Sequence, residues 1–379
     1  SDFPMGLEIE SAEGVYQNDK NGNKIIDIIA GIGVSNVGHK HPKVVEAIKT
    51  QVDKYMHIMV YGEFVQSPQV NLAKALSDTL PVNLNATYFL NSGSEAVEGA
   101  LKLAKRYTGR SEIISCIDAY HGSSHGALSV GGNESLKSNY RPLLPDIKHI
   151  NFGSIDDLTQ ITNKTAAVII ETVQGEAGVR TSSKKYFETL RNKCDETGTL
   201  LIFDEIQCGF GRTGKFWAFE HYGVAPDILC CAKGMGGGMP IGAFISSAEI
   251  MSVFKNNPIL GHISTFGGHP VSCAASLATL NVIIDDNLLV DVEAKATLFK
   301  ELLVHPKIKE IRNLGLIMAV EFESFEVVKP IIDKCLENGL LTDWFLFCDN
   351  SMRIAPPLTI TTAEIKKACQ IILKCIDLV

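Results

Sequence analysis

Residues 200–238 read LLIFDEIQCGFGRTGKFWAFEHYGVAPDILCCAKGMGGG and contain two short apolar runs that each end in a charge. The first run ends at Asp204 and Glu205, and the second ends at Lys233. Such runs are typical of strands buried in a parallel sheet, and open α/β sheets build their sites at the carboxyl ends of those strands. The stretch therefore predicts an α/β fold in which an acid and an amine share one sheet edge.

The glycines that follow Lys233 leave space around its amine and allow backbone conformations with positive φ. An amine among apolar neighbours loses its proton more easily, as Schiff-base chemistry requires, and a nearby carboxylate can pair with the ring nitrogen of pyridoxal phosphate. Taken singly, Asp204 is equally well interpreted as a helix cap and Lys233 as an ordinary surface lysine. The remainder of the chain has to decide between these interpretations.

The overall composition is that of an ordinary globular protein. The 379 residues are 45% hydrophobic and 21% charged, with a net charge of −8, and this length predicts two domains. The acidic balance argues against nucleic acid or an anionic membrane as a partner, and no apolar run approaches the ~20 residues of a membrane span.

The 10 cysteines form no C-x-x-C pair and lie mostly in apolar runs, which indicates core residues in a reducing cytoplasm. His39 and His41 have no third ligand near them in the sequence, so we expect no metal site.

Three more segments place polar groups at the predicted sheet edge. Residues 91–95, NSGSE, separate a strand from a helix that Ser92 and Glu95 would close with a capping box. This is the arrangement of a phosphate cradle, although a well-capped surface helix would look the same. Tyr120 follows another strand and either stacks on a planar cofactor or packs in the core. Glu176 lies on a glycine-flanked loop after a third strand.

The order of the elements predicts how the chain divides. Strands and helices alternate from about residue 85 to 245, which predicts a mostly parallel sheet covered on both faces. Residues 1–30 have the hairpin signals of an antiparallel meander, and the chain beyond residue 285 has an α+β pattern. We therefore predict a large domain at residues 43–285 and a small α+β domain built from residues 1–42 and 286–379.

Taken together, these segments resemble the class III (ω-type) aminotransferases of pyridoxal-phosphate fold type I, and within them the acetylornithine/ornithine aminotransferase group. The resemblance covers almost the whole chain in family order, and the block at residues 200–243 is its most specific part. The matching motifs are GHKHP (38–42), NSGSEAVE (91–98), YHG (120–122), QGEAGV (174–179), LLIFDEIQCGFGRTG (200–214), PDILCCAKGMGGGMPIGA (226–243), STFGGHP (264–270) and MRIAPPL (352–358).

The resemblance implies pyridoxal 5′-phosphate as the cofactor and assigns its ring to five residues. Lys233 would form the Schiff base and then move the proton between substrate and cofactor. Asp204 would keep the ring nitrogen protonated. Ile206 and Tyr120 would contact opposite faces of the ring, and Gln207 would bind near its phenolic oxygen.

The resemblance also implies a homodimer with shared active sites. Gly93 and Ser94 would hold the cofactor phosphate through backbone and hydroxyl donors. Thr265, with Ser264 beside it, would reach the phosphate held by the partner subunit.

Glu176 and Arg353 correspond to a switchable salt bridge in the family. An amine donor would leave the pair closed, whereas glutamate or 2-oxoglutarate would open it and be gripped by the arginine. The resemblance thus implies 2-oxoglutarate as the amino acceptor. The alternative is an ordinary salt bridge of Arg353 at the end of a strand, which is disfavoured because arginine is the usual choice for recognising a carboxylate in planar geometry.

Ser123 is the one departure from the family pattern. Acetylornithine, ornithine and 4-aminobutyrate enzymes typically carry an arginine at this position, where it recognises the far carboxylate of the donor. Ile32 stands where ornithine enzymes place a tyrosine, as it does in acetylornithine-type enzymes. Arg141 is one candidate for the missing clamp, and a diamine such as putrescine or another ω-amine is the other possibility.

Several functions therefore stay open, with one favoured. We expect an enzyme that transfers an amino group from an ω-amino donor to 2-oxoglutarate, giving an aldehyde and glutamate. A lyase or racemase on the same scaffold and a non-catalytic binding protein are the alternatives. A dinucleotide-dependent dehydrogenase is disfavoured because no G-x-G-x-x-G follows a first strand.

Overall fold

The computed structural model describes residues 3–379, so the predictions for residues 1 and 2 lie outside the described chain. The strands are β1 (Ile9–Glu13), β2 (Tyr16–Asp19), β3 (Lys24–Asp27), β4 (Ala86–Leu90), β5 (Glu112–Cys116), β6 (Ile147–Ile150), β7 (Thr165–Glu171), β8 (Leu200–Asp204), β9 (Ile228–Cys231), β10 (Gly242–Ser246), β11 (Glu310–Leu314), β12 (Ile317–Glu321), β13 (Leu340–Leu341), β14 (Trp344–Phe345) and β15 (Cys348–Ile354). The helices are α1 (Ala30–Gly33), α2 (Pro42–Lys54), α3 (Ser67–Asp78), α4 (Gly93–Thr108), α5 (His125–Val130), α6 (Glu134–Lys137), α7 (Lys184–Thr197), α8 (Ala248–Met251), α9 (Pro270–Asp285), α10 (Val292–Leu302), α11 (Phe325–Glu337) and α12 (Thr362–Asp377).

The centre of the fold is a sheet of seven strands in the order β4-β10-β9-β8-β7-β5-β6. Strand β10 runs antiparallel to β4 and β9, and the other neighbours are parallel. Every residue of β7, β8 and β9 is buried, because the sheet is covered on both faces and each strand is a continuous apolar run. This confirms the predicted mostly parallel α/β sheet.

Strand register brings the charged ends of the central strands to one edge. Glu171 at the end of β7 lies opposite Asp204 at the end of β8, and Asp204 lies opposite Cys230 in β9. Lys233 follows β9 directly and begins a short 3₁₀ turn. The acid and the amine predicted to share an edge therefore do so because three parallel strands end together.

Both ends of the chain contribute to a second hydrophobic core. Val15, Ile26 and Ile28 are buried in the same cluster as Met318 and Ile354. Strand β3 also pairs in parallel with β13, so the amino-terminal meander is joined to the carboxy-terminal part by backbone hydrogen bonds. This matches the small α+β part predicted from both chain ends, while the exact bounds at 42/43 and 285/286 stay predictions.

Arg212 links the second core to the large sheet, a role that the sequence did not reveal. Its guanidinium is fully buried and donates to the carbonyls of Leu316, at 3.0 Å, and Pro356, and to Oδ1 of Asn36 at 2.5 Å. Burial lowers the pKa of Arg212 to about 9, and the backbone acceptors take the place of a carboxylate partner. The tight loop predicted around this residue is thus a junction between the two parts.

Helix α4 begins as predicted but with a different cap. Ser92 Oγ accepts the Glu95 backbone N–H at 3.2 Å, which is one half of the predicted capping box. The Glu95 carboxylate instead accepts from the backbone N–H of Asn91 at 3.0 Å and from its side chain at 2.9 Å. The other half of the box therefore shifts by one residue and fixes the loop before the helix.

The helices found between residues 3 and 379 are all too short or too polar to cross a membrane.

Candidate active site

A cavity of about 720 Å³ opens at the carboxyl edge of the large sheet. Eight of the predicted site residues line it. They are Gly93, Ser94, Tyr120, Glu176, Asp204, Ile206, Gln207 and Lys233.

Asp204 is held in a fixed orientation at the floor of this cavity. Its Oδ2 accepts a hydrogen bond from Nδ1 of His121 at 2.7 Å, and its Oδ1 accepts from the backbone N–H of Ile206 at 3.0 Å. Because a carboxylate only accepts, the shared proton belongs to Nδ1 of the imidazole. The other ring nitrogen of His121, Nε2, is buried without a partner in the described chain. His121 was not among the predicted site residues, although it follows Tyr120 in the YHG motif.

Lys233 brings its amine into the same cavity from the end of β9. Its backbone is left-handed, with φ of 44°, and the glycines that follow allow the tight turn. Burial lowers the pKa of the Lys233 amine, and the nearby Glu176 carboxylate opposes that shift. A buried amine with a lowered pKa is the state in which lysine acts as a nucleophile.

The amino terminus of α4 forms one wall. Helix N–H groups without intrahelical partners and the positive end of the dipole make such a terminus an anion site. A side chain at Gly93 would come within 2.9 Å of Ile206, so the close approach of this turn to the loop after β8 requires glycine. Ser94 Oγ lies 2.6 Å from Ser124 Oγ and accepts the Ser124 backbone N–H at 3.0 Å.

Glu171 connects two of the loops that carry site residues. Its buried carboxyl accepts the backbone N–H of Tyr120 at 3.2 Å and that of Gly175 at 3.3 Å. Burial and the neighbouring Asp204 raise its pKa well above the usual range. Strand β7 ends in an acid just as β8 does, but nothing in the sequence pattern predicts that this acid binds backbone N–H groups instead of substrate.

These residues fit pyridoxal phosphate. Asp204 offers the negative charge that a pyridinium nitrogen needs, and Lys233 offers the amine. The α4 terminus at Gly93 offers an anion cradle, and the Tyr120 ring and the aliphatic side chain of Ile206 line the cavity walls. The buried Nε2 of His121 has no hydrogen-bond partner among the described residues, so protein groups alone do not satisfy every polar atom behind Asp204.

Glu176 and Arg353 form a bidentate ion pair. Nη1 of Arg353 lies 2.7 Å from Oε1 of Glu176, and Nη2 lies 3.0 Å from Oε2. Gln207 Nε2 also donates to Oε1 of Glu176, at 3.1 Å. Burial alone would raise the pKa of Glu176, but the guanidinium outweighs it and holds the pKa at about 2. A second cavity, of about 480 Å³, is lined by Arg353 and shares Tyr120, Glu176 and Lys233 with the first.

Three predicted residues lie outside both cavities. Ser264 accepts from Nδ2 of the cavity-lining Asn91 at 3.0 Å, so it touches the site through one residue. Thr265 Oγ1 lies 3.4 Å from the hydroxyl of Tyr61, on the outer surface. Arg141 is exposed and ion-paired with Glu134 at 2.6 Å.

Ser123 lies where the family pattern places an arginine. It lines the first cavity, and its hydroxyl is 3.3 Å from that of Tyr120. In the described chain, Arg353 is the one arginine that lines either cavity. Among residues 3–379, no second guanidinium lines either cavity where it could hold a far carboxylate.

Comparisons with known proteins all find aminotransferases. The family model described as "Aminotransferase class-III" matches residues 2–376. The acetylornithine aminotransferase of Methanopyrus kandleri is 41% identical over 373 residues, which is 97% of this chain and 93% of that protein.

Solved structures agree with this match. The ornithine aminotransferase from Toxoplasma gondii ME49 superposes with a TM-score of 0.93 at 30% identity, covering 100% of this chain and 92% of that one. A second structure of the Toxoplasma enzyme, with pyridoxal phosphate at partial occupancy in its active site, has a TM-score of 0.92 at 30% identity, covering 100% and 91%. A transaminase from the marine bacterium Virgibacillus has a TM-score of 0.93 at 27% identity, covering 98% and 93%.

Proposed function

The chain belongs to the class III aminotransferases, and we propose that it transfers an amino group from an ω-amino donor to 2-oxoglutarate, giving an aldehyde and glutamate. Its cofactor is pyridoxal 5′-phosphate. The observation that carries the proposal is the meeting of Lys233 and Asp204 in one cavity beside the buried pair of Glu176 and Arg353.

The residues at the sheet edge account for the chemistry. When bound, pyridoxal phosphate supplies an aldehyde that reacts with amines and a ring that accepts electrons. Burial lowers the pKa of the Lys233 amine, which favours the neutral form that would react with that aldehyde, and the same nitrogen would carry the proton removed from the substrate. Asp204, oriented by His121, holds a negative charge where the ring nitrogen would lie. Gly93 and Ser94 would hold the cofactor phosphate at the start of α4.

The Glu176–Arg353 pair accounts for two substrates in one site. With an amine that lacks an α-carboxylate, the closed pair presents no unpaired charge to the substrate. With 2-oxoglutarate or glutamate, the Glu176 side chain turns away and the two terminal nitrogens of Arg353 bind the carboxylate in its place. The bidentate geometry already present is the geometry that a planar carboxylate needs.

The donor is an acetylornithine-like compound or a diamine, and Ser123 is the residue that separates these classes. A serine hydroxyl cannot form the bidentate contact that an arginine would make with a carboxylate. Ser264 and Arg141 stay candidates for donor recognition, the first through Asn91 and the second only if it leaves Glu134.

We also propose a homodimer in which Thr265 acts across the subunit boundary. Two loops, at residues 55–66 and 256–267, expose apolar side chains such as Val65 at 90% and Phe266 at 56%. Tyr61 and Thr265 connect these loops, so the predicted phosphate-binding hydroxyl lies within the apolar surface. A patch of this kind is typical of an interface, and a second copy would cover it.

The 10 free cysteines, nearly all buried, support a cytoplasmic location.

A panel of donors tests the function. Purified holoenzyme is given 2-oxoglutarate with N-acetylornithine, ornithine, putrescine or 4-aminobutyrate, and glutamate and ammonia are both measured. We expect glutamate to form in proportion to the donor consumed, with no ammonia. Ammonia release without 2-oxoglutarate would establish a lyase, and inversion of a chiral substrate without net change would establish a racemase.

A further inference from the structure

A second acid, Asp343, holds the guanidinium of Arg353 at a nitrogen that Glu176 does not contact. Nε of Arg353 donates to Oδ1 of Asp343 at 2.9 Å, while both terminal nitrogens face Glu176. Nη2 also donates to the carbonyl of Trp344 at 3.1 Å, and the guanidinium carbon lies 4.4 Å from the ring centre of Phe345. The guanidinium is therefore held at Nε and by its contact with the Phe345 ring, while its two terminal nitrogens pair with Glu176.

The two acids are attached to the arginine in different ways. Asp343 and Arg353 lie on adjacent segments, and the Arg353 backbone N–H donates to the Asp343 carbonyl at 2.8 Å. Thr342 next to it donates its hydroxyl to the Arg353 carbonyl at 2.7 Å. Glu176 comes from a loop of the large sheet and meets Arg353 only through side chains. A rotation of the Glu176 side chain would leave the Asp343 contact unchanged.

From this arrangement, and resting on the proposed function, we propose that Asp343 is a positioning residue for 2-oxoglutarate. It keeps the Arg353 side chain in place when Glu176 turns away, so that the two terminal nitrogens still face the cavity for the incoming carboxylate. Without it, the guanidinium would be free to follow Glu176 or to turn towards other acceptors. Asp343 lines the second cavity together with Arg353, so its effect is exerted where that carboxylate would bind.

A model based on charge alone predicts the opposite effect of Asp343 on the binding of 2-oxoglutarate, so the proposal can be tested. Removing a negative charge beside Arg353 would by itself strengthen the binding of an anion. Loss of an orienting hydrogen bond would weaken it, because the bidentate contact requires a fixed guanidinium plane. Burial raises the pKa of Asp343 to about 6 although Arg353 opposes that shift, so keeping a charged acid at this position costs free energy.

The test compares Asp343→Ala and Asp343→Glu with the matched control Glu310→Ala in the purified holoenzyme. Glu310 also bonds an arginine, Arg312, at 2.8 Å in the same small sheet, but on the surface and away from both cavities. The half-reaction with an ω-amine and the half-reaction with 2-oxoglutarate are followed separately by cofactor absorbance. The Kd of glutarate, a dicarboxylate that cannot react, is measured by calorimetry.

We expect Asp343→Ala to raise the KM for 2-oxoglutarate and the Kd of glutarate about tenfold, the effect of losing one hydrogen bond between charged groups. The amine half-reaction and the maximal rate with 2-oxoglutarate should change less than about twofold, and Asp343→Glu should recover part of the loss. Tighter glutarate binding, or equal losses in both half-reactions, would overturn the proposal. If the unmodified enzyme does not react with 2-oxoglutarate at all, the proposed function fails instead.

Discussion

The sheet edge and the Arg353 cluster meet at one cavity but are built in contrasting ways. Asp204 ends β8, and Lys233 lies just after the adjacent parallel strand β9, so the register of the two strands fixes the spacing of their backbones. Glu176 and Arg353 are 177 residues apart, come from a loop and from β15, and meet only through side chains. The first arrangement suits groups that must stay in place through the reaction. The second suits a contact that must open for one substrate and close for the other.

This contrast between the two arrangements predicts that a substitution at the sheet edge lowers activity with both substrates to the same extent. Asp204→Asn keeps the size of the side chain but removes its charge, and the His121 contact remains possible. We expect the rates of both half-reactions to fall by roughly a hundredfold or more, the scale of losing one preorganised electrostatic group. Rapid-mixing absorbance measurements of each half-reaction check this.

A loss confined to one substrate would show that Asp204 acts on the substrate instead of the shared cofactor. His121→Asn is a useful companion variant, because it removes the imidazole and leaves the carboxylate. Its effect should be smaller than that of Asp204→Asn and equally shared between the two half-reactions.

Substitutions in the Arg353 cluster should instead reduce activity with one substrate more than with the other. Arg353→Ala removes the carboxylate contact and leaves Glu176 buried without its partner. We expect kcat/KM for 2-oxoglutarate to fall roughly a hundredfold, as for truncation of one member of a buried charge pair. An amine without an α-carboxylate should lose only severalfold, and steady-state kinetics with each substrate varied in turn measures the ratio. Equal losses would contradict a gate at this pair.

The smallest effect is expected at Ser123, which belongs to neither arrangement. Ser123→Arg introduces a guanidinium at the cavity wall beside Tyr120. We expect kcat/KM for carboxylated donors such as N-acetylornithine to rise about tenfold, the scale of one charge-assisted hydrogen bond, with little change for putrescine. The ratio of the two donors is the measured quantity. An unchanged ratio would indicate that another group, such as Arg141, already binds that carboxylate.

The sequence predicted the sheet edge better than the groups that support it. Apolar runs that end in a charge identify strand ends, and this is why Asp204 and Lys233 were located from pattern alone. The signal does not say which way a side chain faces. Glu171 ends its strand as Asp204 does, yet it holds loop backbone, and Glu205 accepts from backbone N–H groups at Ala218 and Phe219.

The contacts of the small part were beyond sequence reasoning for a different reason. Asp343 precedes a two-residue strand and has no periodic pattern around it that would mark a site. Its contact with Arg353 depends on how two adjacent segments are paired, and Arg212 depends likewise on backbone carbonyls from distant loops. Such partners are set by tertiary packing, and local sequence carries no trace of them.

The central claim is that Lys233 is the amine that holds pyridoxal phosphate. Reduction of the purified holoenzyme with borohydride makes that link permanent, and peptide mapping by mass spectrometry then locates it. We predict one pyridoxyl group on the peptide that contains Lys233, and none in Lys233→Ala treated in the same way. A label on a different lysine of the unmodified protein, or no label on a protein that has bound the cofactor, would contradict the account.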